Sequence, residues 1–212
     1  MSDQDDKKAK SQLELGQTRL KEPDRNYSRG GRSFYFFDFD DNIAFLTTPL
    51  ILFHKTTQEE LHLSSSEWAI HHSSIGKNGI YSEYEINFDD INGTFRCFRD
   101  ITLSEEDRQA GKKQTFVEDI LLGLKNLDSI WKGPSWDCFY HAVFNQRPIS
   151  VITARGHSAE TIRAGIYEFV KAGWLPSEPN YLSIFAVSNK QTRIAFGDND
   201  FNQSTAELKQ HA

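Results

Sequence analysis

The stretch Ser33-Phe34-Tyr35-Phe36-Phe37-Asp38-Phe39-Asp40-Asp41-Asn42-Ile43 places three carboxylates at the end of an aromatic, apolar run. Four consecutive large apolar residues, 34–37, are typical of a strand that is buried on both faces, as in a parallel sheet covered by helices. Asp38 then falls where the strand ends, and ligands of open α/β sheets bind beyond the carboxyl ends of strands. Asp38 and Asp40 are two residues apart, so both side chains lean to one face of an extended backbone and could share a cation.

Composition narrows the class of protein. The chain has 212 residues, 38% of them hydrophobic, and a net charge of -6. This fits one catalytic-size domain and argues against a general nucleic-acid binder, which needs a clustered basic face. Cys97 and Cys138 are the only cysteines in the sequence and lie far apart, so neither a disulfide framework nor a thiolate metal site is indicated.

Three features of the sequence predict a cytoplasmic protein. Cysteine usage fits a reducing compartment. No apolar run approaches the length needed to span a membrane, so no membrane partner is expected. Residues 1–8 lack the apolar segment of a signal peptide.

The chain divides into a leader, a core and an insertion. Residues 1–32 are polar with mixed charges, which predicts a flexible N-terminal leader. The interval of about 43–147 is far longer than the dozen or so residues that a parallel crossover needs, so it must contain an insertion of mixed strand and helix. Strands are predicted over 48–55, 81–88 and 94–99, and a capping box at Ser64 predicts a short helix.

A second buried strand, Pro148–Thr153, ends in a hydroxyl residue and is followed by a turn that contains Arg155. Ser158 then opens a helix that is predicted to run to about Ala172. Free N–H groups at a helix start form an anion cradle, to which Thr153 adds a hydroxyl donor and Arg155 a cation. An ordinary junction between a strand and a capped helix has the same pattern, and both interpretations stay open.

A third buried strand is predicted over 182–188, with Lys190 directly after it. Three parallel strands that end in acidic, hydroxyl and lysine residues would bring these groups to one edge of a sheet. The predicted fold class is therefore α/β, a three-layer sandwich with a parallel Rossmann-like sheet and an inserted cap or flap.

These residues resemble the haloacid dehalogenase superfamily of phosphohydrolases over about residues 33–200. Asp38-Phe39-Asp40-Asp41-Asn42 is similar to the first motif of the superfamily, Asp-x-Asp-x-Thr, with Asp41 and Asn42 where Gly and Thr are more usual. Thr153 matches the second motif and Lys190 the third. The interval after the first motif resembles the superfamily's cap insertion, so the resemblance implies a core of this type over 33–212.

The resemblance implies a Mg²⁺-dependent phosphatase acting on a small phosphorylated substrate. Asp38 would form an aspartyl phosphate, and Asp40 would protonate the leaving oxygen and then deprotonate water. Mg²⁺ would be held by Asp38, by Asp40 through its backbone carbonyl and by a later acid, Asp198. The residues expected to contact the substrate are Thr153, Lys190, Arg155 and Asn42.

The fourth motif of the superfamily is a further acidic segment, for which Gly197-Asp198-Asn199-Asp200 is the candidate. Only about half a dozen residues separate the third strand from Ile194, too few for a parallel crossover. Either 194–196 forms a short helix or turn, or the preceding segment is not a sheet strand. A fourth strand is then expected beyond residue 212.

Other interpretations of the acidic stretch were weighed. A calcium-binding EF-hand loop would need Gly and Glu where Ile43 and Pro49 stand, which argues against it. An ordinary solvated strand end and a catalytically incomplete domain that serves as a binding module stay open. The sequence identifies neither the substrate nor the oligomeric state.

Overall fold

The structure of the protein, a computed structural model, describes residues 19–200 and 202–211. The strands are β1 Tyr35–Asp38, β2 Leu50–His54, β3 Glu60–Leu63, β4 Tyr84–Glu85, β5 Pro148–Thr153 and β6 Asn180–Ala186. The helices are α1 Ser65–His71, α2 Glu105–Gln109, α3 Thr115–Gly123, α4 Asp128–Trp131, α5 Trp136–Phe144, α6 Ala159–Lys171, α7 Lys190–Ala195 and α8 Thr205–His211.

The main sheet is parallel and has the order β1-β5-β6. Strand β5 is central, and its Ile149 and Val151 are fully buried. Asp38 lies opposite Ile152, one residue before Thr153 at the end of β5. The strand ends that carry the predicted acidic and hydroxyl motifs are therefore neighbours at the carboxyl edge of the sheet.

Helix α6 packs its apolar stripe on the core and begins as the sequence predicts. The Ser158 side chain accepts a hydrogen bond from the Thr161 N–H and caps the helix. The buried positions recur at the spacing of one helix face and are Ile162, Ile166 and Phe169. Gly165 lies where α6 meets α3, because a Cβ built on it would be 2.4 Å from Phe116 Cε1.

The insertion contains a second, antiparallel sheet with the order β3-β2-β4. It has its own small core, formed by Leu50, Leu52, Leu63 and Ile75. Helix α1 begins with the predicted capping box, in which the Ser64 hydroxyl accepts the Glu67 N–H and the Glu67 carboxylate accepts the Ser64 N–H at 2.8 Å.

The strand predictions over 81–88 and 94–99 were largely wrong. Only Tyr84–Glu85 is a strand in the first segment, and Arg96–Phe98 is a 3₁₀ turn. The Asp89 carboxylate accepts the N–H groups of Ile91 and Asn92, which bends the chain into a turn. Local hydrogen bonding by a short acidic side chain therefore outcompetes extended pairing here.

Of the two alternatives that the sequence left open for residues 194–196, the structure has the first, in which a short helix follows a sheet strand. Residues 180–186 form a sheet strand, which begins two residues earlier than predicted, and α7 contains Ile194. The α/β architecture with a parallel sheet and a separate antiparallel sheet is confirmed, whereas the three-layer Rossmann-like sandwich stays a prediction.

Part of the predicted leader, residues 1–18, lies outside the described residues. The following segment is tied to the core, because the Glu22 N–H donates to Asn145 Oδ1 at 2.6 Å and Arg147 donates to the Glu22 carbonyl at 2.8 Å. Asp24 accepts the N–H groups of Ser33 and Asn26, and these bonds lower the pKa of Asp24 to about 2.

Among the described residues, no helix combines the length and the apolar composition required to cross a membrane.

Candidate active site

Asp38 is the last residue of β1, and its side chain is 39% exposed. Its Oδ2 atom accepts a hydrogen bond from the ammonium group of Lys209, with 2.6 Å between Oδ2 and Nζ. The other oxygen, Oδ1, is buried and has no hydrogen-bond partner among the described residues. One carboxylate oxygen of Asp38 is therefore held by a cation, and the other has no partner among the described residues.

Lys209 is the site residue that sequence reasoning missed. It comes from α8, 171 residues after Asp38, and no motif surrounds it. Only the folded position of α8 places this lysine at the end of β1. A lysine on a short terminal helix carries no local signal for such a contact.

The carboxylate of Asp40 is held from two sides. Arg155 donates to Asp40 Oδ1 from Nε at 2.9 Å and from Nη2 at 2.7 Å. The Thr153 hydroxyl donates to Asp40 Oδ2 at 2.9 Å. The structure therefore brings the predicted acidic motif and the predicted hydroxyl motif into direct contact, with Arg155 as the third member.

Arg155 is 1% exposed and belongs to the interior of the site. Its guanidinium carbon lies 4.7 Å from the ring centre of Phe98 and 4.8 Å from that of Phe116, a cation–π arrangement. Nη2 also donates to the Thr48 hydroxyl at 2.7 Å, and Thr48 in turn donates to Asp119. Burial raises the pKa of Asp119, which the Thr48 hydrogen bond partly opposes.

His157 lies beside this network and is fully buried. Its Nε2 is 3.1 Å from the Thr115 hydroxyl, and its Nδ1 has no hydrogen-bond partner in the described chain. Burial, reinforced by the charge of Arg155, lowers the pKa of His157 to about 4. The imidazole is therefore neutral at neutral pH.

Asp41 and Asn42 form the turn that follows the first motif. Asp41 has a φ of 57°, in the left-handed region that Asp tolerates better than most residues. The Asn42 side-chain oxygen accepts the Ser135 hydroxyl at 2.5 Å, and its carbonyl accepts the Ser135 N–H at 2.8 Å. Asn42, predicted to bind substrate, thus fastens this turn to the start of α5.

Lys190, predicted to contact the phosphoryl group, forms an ion pair with Asp90. Its side chain is 62% exposed, and Asp90 also pairs with Arg99 at 3.1 Å. Asn189 caps α7 through its side-chain oxygen, which places Lys190 at the first turn of the helix. The described contacts thus bring Lys209, and not Lys190, to Asp38.

Asp198, predicted as a metal ligand, is 4% exposed. Its Oδ2 lies 2.9 Å from the Nε of Arg193, and its Oδ1 accepts the N–H groups of Asn202 and Gln203. These contacts stabilise the turn between α7 and α8. Asp198 is therefore engaged on both oxygens by the chain that surrounds it.

The predicted donor set does not fit a Mg²⁺ ion held by three protein ligands. Asp38 offers a carboxylate at the end of β1, but Asp198 is paired elsewhere. Within 19–200 and 202–211, no group of three or more His, Cys, Asp or Glu side chains is placed to hold a metal. The Mg²⁺ site therefore stays a prediction.

A cavity of about 450 Å³ lies beside the turn at Asp41, between this turn with the segment that follows it and the residues 62–66 at the end of β3 and the start of α1. Its apolar lining includes Phe45 and Leu63, and its polar lining includes Asp41 and His62. Ser65 at the start of α1 donates to Asp41 at 3.3 Å and so joins the two sides of this cavity.

No family model, curated protein or solved structure matches this chain. The inference of function therefore depends on the residues and the geometry described above.

Proposed function

We propose that the protein hydrolyses phosphate esters through Asp38, by the aspartyl-phosphate route of the haloacid dehalogenase superfamily that its motifs resemble. One observation carries the proposal: a partly exposed carboxylate at the carboxyl end of a parallel strand, with a lysine ammonium 2.6 Å away. A nucleophile and a cation at this edge of the sheet are what phosphoryl transfer requires.

In the proposed first step, Asp38 attacks the phosphorus through its accessible oxygen, Oδ2, and the ester P–O bond breaks on the opposite side. The other oxygen, Oδ1, is buried and is not available to the substrate. Lys209 takes the part that the sequence assigned to Lys190 and offsets the negative charge of the phosphoryl oxygens. Water then attacks the aspartyl phosphate and gives its proton to Asp40, which had protonated the leaving oxygen; the P–O bond to Asp38 breaks, inorganic phosphate is released and both carboxyl groups return to their starting state.

Asp40 is proposed to carry the proton to the leaving oxygen. Both of its oxygens accept hydrogen bonds from Arg155 or Thr153. Asp40 must therefore exchange one of these contacts for the leaving oxygen when substrate binds. In this proposal Arg155 and Thr153 position Asp40, and they do not hold the phosphoryl group directly.

The cavity beside Asp41 is the place proposed for the leaving group. Its lining combines apolar side chains with His62 and Asp41 and contains no lysine or arginine. A leaving group with a second phosphate would find no cation there. The geometry thus favours esters whose alcohol is uncharged or basic.

The test is phosphate release from a panel of small phosphate esters, with and without added Mg²⁺. We expect turnover by the natural chain, none by Asp38→Asn, and a loss of roughly a hundredfold or more for Lys209→Met, since single charge-stabilising groups contribute on this scale. Lys190→Met is the matched control and should keep its activity, because Lys190 pairs with Asp90. Equal loss in both lysine variants would contradict the assignment of Lys209.

A second function, binding without turnover, is favoured by a specific observation. Both predicted catalytic carboxylates are already paired, Asp38 with Lys209 and Asp40 with Arg155. A module of this kind would bind the phosphate esters in calorimetry and release no phosphate under any metal condition. That pair of results would replace the hydrolase with the binding module.

A further inference from the structure

The three carboxylates of the acidic stretch differ in their partners. Asp38 pairs with a lysine and Asp40 with an arginine, so each of these charges has a cation beside it. Asp41 is exposed, and within the described chain its side chain makes one hydrogen bond, which Ser65 donates to Oδ1 at 3.3 Å. The carboxylate of Asp41 therefore lines the cavity without a cation from the described residues to offset its charge.

The rest of the cavity lining is apolar or neutral. It includes the aromatic ring of Phe45, which is 44% exposed, and the side chains of Pro49 and Leu63. Among the described residues, the lining contains no lysine or arginine, and the Nε2 of its histidine, His62, lies 3.9 Å from the Glu60 carboxylate. A carboxylate beside an aromatic ring and aliphatic walls is an environment that attracts a cation.

The start of α1 also borders the cavity, and N–H groups in the first turn of a helix favour negative charge. Here the chain itself supplies that charge. The Glu67 carboxylate accepts both the N–H and the hydroxyl of Ser64, each at 2.8 Å. An anion in the cavity would therefore meet two carboxylates, Glu67 and Asp41, at this end of the helix.

An inorganic cation fits the cavity poorly. Mg²⁺ and Ca²⁺ need several oxygen ligands, and residues 19–200 and 202–211 contain no group of three or more metal-binding side chains. An alkylated ammonium ion has no such requirement, because one carboxylate offsets its charge while an aromatic face and aliphatic walls contact its alkyl groups. A volume of about 450 Å³ accommodates a molecule of this kind.

We propose that the cavity beside Asp41 binds an organic ammonium group, and that the substrate is the phosphate ester of an amino alcohol, for which choline is the probe. Asp41 offsets the ammonium charge, and the ring of Phe45 contacts the alkyl groups. The ammonium site stands independently of catalysis, whereas the assignment of the alcohol rests on the proposed hydrolysis at Asp38.

The first test is calorimetry of the Asp38→Asn protein, which lacks the proposed nucleophile, with phosphocholine and with 3,3-dimethylbutyl phosphate. The second ester has nearly the same shape but carries a carbon atom in place of the charged nitrogen. We expect phosphocholine to bind roughly tenfold more tightly, because only its nitrogen is attracted by a carboxylate and an aromatic ring. Equal affinities, or tighter binding of the neutral ester, would overturn the proposal.

Asp41→Asn should remove the preference for phosphocholine. Asparagine tolerates the φ of 57° and can still accept the Ser65 hydroxyl, so the turn is retained. Glu106→Gln is the matched control, because Glu106 is exposed on α2 and does not line the cavity. A preference that survives Asp41→Asn, or that is lost in Glu106→Gln, would contradict the role of Asp41.

A second variant tests the aromatic wall without changing any charge. Phe45→Leu keeps an apolar side chain in the cavity but removes the ring, so it should reduce the preference for phosphocholine severalfold while changing the affinity for the neutral ester little. An equal loss of affinity for both esters would show that Phe45 supplies only apolar contact.

Choline without a phosphate separates this inference from the proposed hydrolysis. Its binding to the natural chain, followed by NMR, should weaken in Asp41→Asn whether or not any ester is hydrolysed. Binding of choline that is absent or insensitive to Asp41→Asn would refute the ammonium site. Choline binding without phosphate release from any ester would retain the site and refute the hydrolase. Phosphate release with equal kcat/KM for the two esters would support the hydrolase and overturn the assignment of the alcohol.

Discussion

At the scale of single residues, the site is organised by the pairing of Arg155 with Asp40. The guanidinium is almost fully buried, whereas the Asp40 side chain is 25% exposed, so the pair spans the boundary between the core and the solvent. Burying an arginine is costly unless its charge is paired. Thr48, Phe98 and Phe116 enclose the guanidinium and fix its position. The pair holds Asp40 at a defined place at the end of β1.

Replacing Arg155 by Met should therefore destabilise the protein. The change removes the guanidinium that donates to Asp40 and Thr48 and leaves Asp40 with Thr153 alone, and breaking one side of a buried pair costs about 3 kcal/mol. Chemical denaturation of both proteins measures the free energy of unfolding. Arg163→Met is the matched control, because Arg163 and Glu178 pair on the surface and solvent screens them, so its effect should be much smaller. Similar losses in the two variants would contradict this account of Arg155.

His157 gives the folded state a defined sensitivity to acid. Its pKa is depressed to about 4 in the folded state from 6.5, so the unfolded chain binds this proton first as the pH falls. The contribution of His157 to the free energy of unfolding is complete above about pH 6.5. It falls by roughly 3 kcal/mol as the pH is lowered from 6.5 to 4. His157→Gln should show a smaller loss over that window, measured by denaturation at each pH. Identical pH profiles would rule out His157 as the cause.

The residue scale also shows what the sequence can predict about the site. The contact between Asp40 and Thr153 follows from two buried strands that end in polar residues and lie side by side, and both signals are local. Arg155 was predicted as a cation at the site, but its direction into the core depends on Phe98 and Phe116, which approach from the insertion. Lys209 could not be predicted, because its position depends on how α8 returns to the sheet.

At the scale of elements, the contact between α3 and α6 depends on a glycine in the middle of a helix. Glycine is a poor helix former, so Gly165 needs a packing reason. A Cβ at this position would lie 2.5 Å from Phe116 Cδ1 and 2.9 Å from Ile120 Cδ1, closer than side chains tolerate. The absence of a side chain therefore sets the distance between the two helices.

Gly165→Ala should lower the free energy of unfolding by about 2 kcal/mol, although alanine is the better helix former. Gly123→Ala, in α3, is the matched control. A Cβ on Gly123 would meet its nearest neighbour at 3.7 Å, so helix propensity should dominate and raise stability by up to about 1 kcal/mol. Thermal or urea denaturation of the two variants gives both values. Stabilisation by Gly165→Ala would mean that the helices can separate at little cost.

Regular elements were the more predictable part of the fold. β5 follows from a run rich in β-branched apolar residues, α6 from a clear helical period and α1 from its capping box. The segment 79–98 was harder, because alternation suggested strands while Asp89 and Gly93 impose turns. A Cβ on Gly93 would lie 2.1 Å from the Asp89 carbonyl oxygen, so the chain folds back there too tightly for a strand.

At the scale of the whole molecule, the turn that follows β1 leads from the parallel sheet into the insertion, which contains the antiparallel sheet. The parallel sheet supplies the acidic and hydroxyl residues, and the antiparallel sheet supplies the far wall of the cavity beside Asp41. In the proposed enzyme the first holds the reacting phosphoryl group and the second selects the alcohol. Different parts of the chain would then determine which ester binds and how fast it reacts. Substitutions at Phe45 and at Lys209 should affect these two properties separately.

Phe45→Ala is expected to alter preference among esters more than reactivity. Phe45 lines the cavity and has no role in the proposed reaction at Asp38 and Asp40. Removing its ring should therefore raise KM for bulky apolar esters by about tenfold, because these esters lose contact area. Lys209→Met should instead lower kcat for every ester. Steady-state kinetics on a small and a bulky ester distinguish the two, and a uniform fall in kcat for Phe45→Ala would place it in the chemistry.

The most direct measurement of the central claim is mass spectrometry of the protein quenched in acid during turnover of a phosphate ester. The account predicts one added phosphoryl group, located on the peptide that contains Asp38 and absent in Asp38→Asn. Steady release of phosphate with no such adduct, or with the phosphoryl group on another residue, would contradict the assignment of Asp38 as nucleophile.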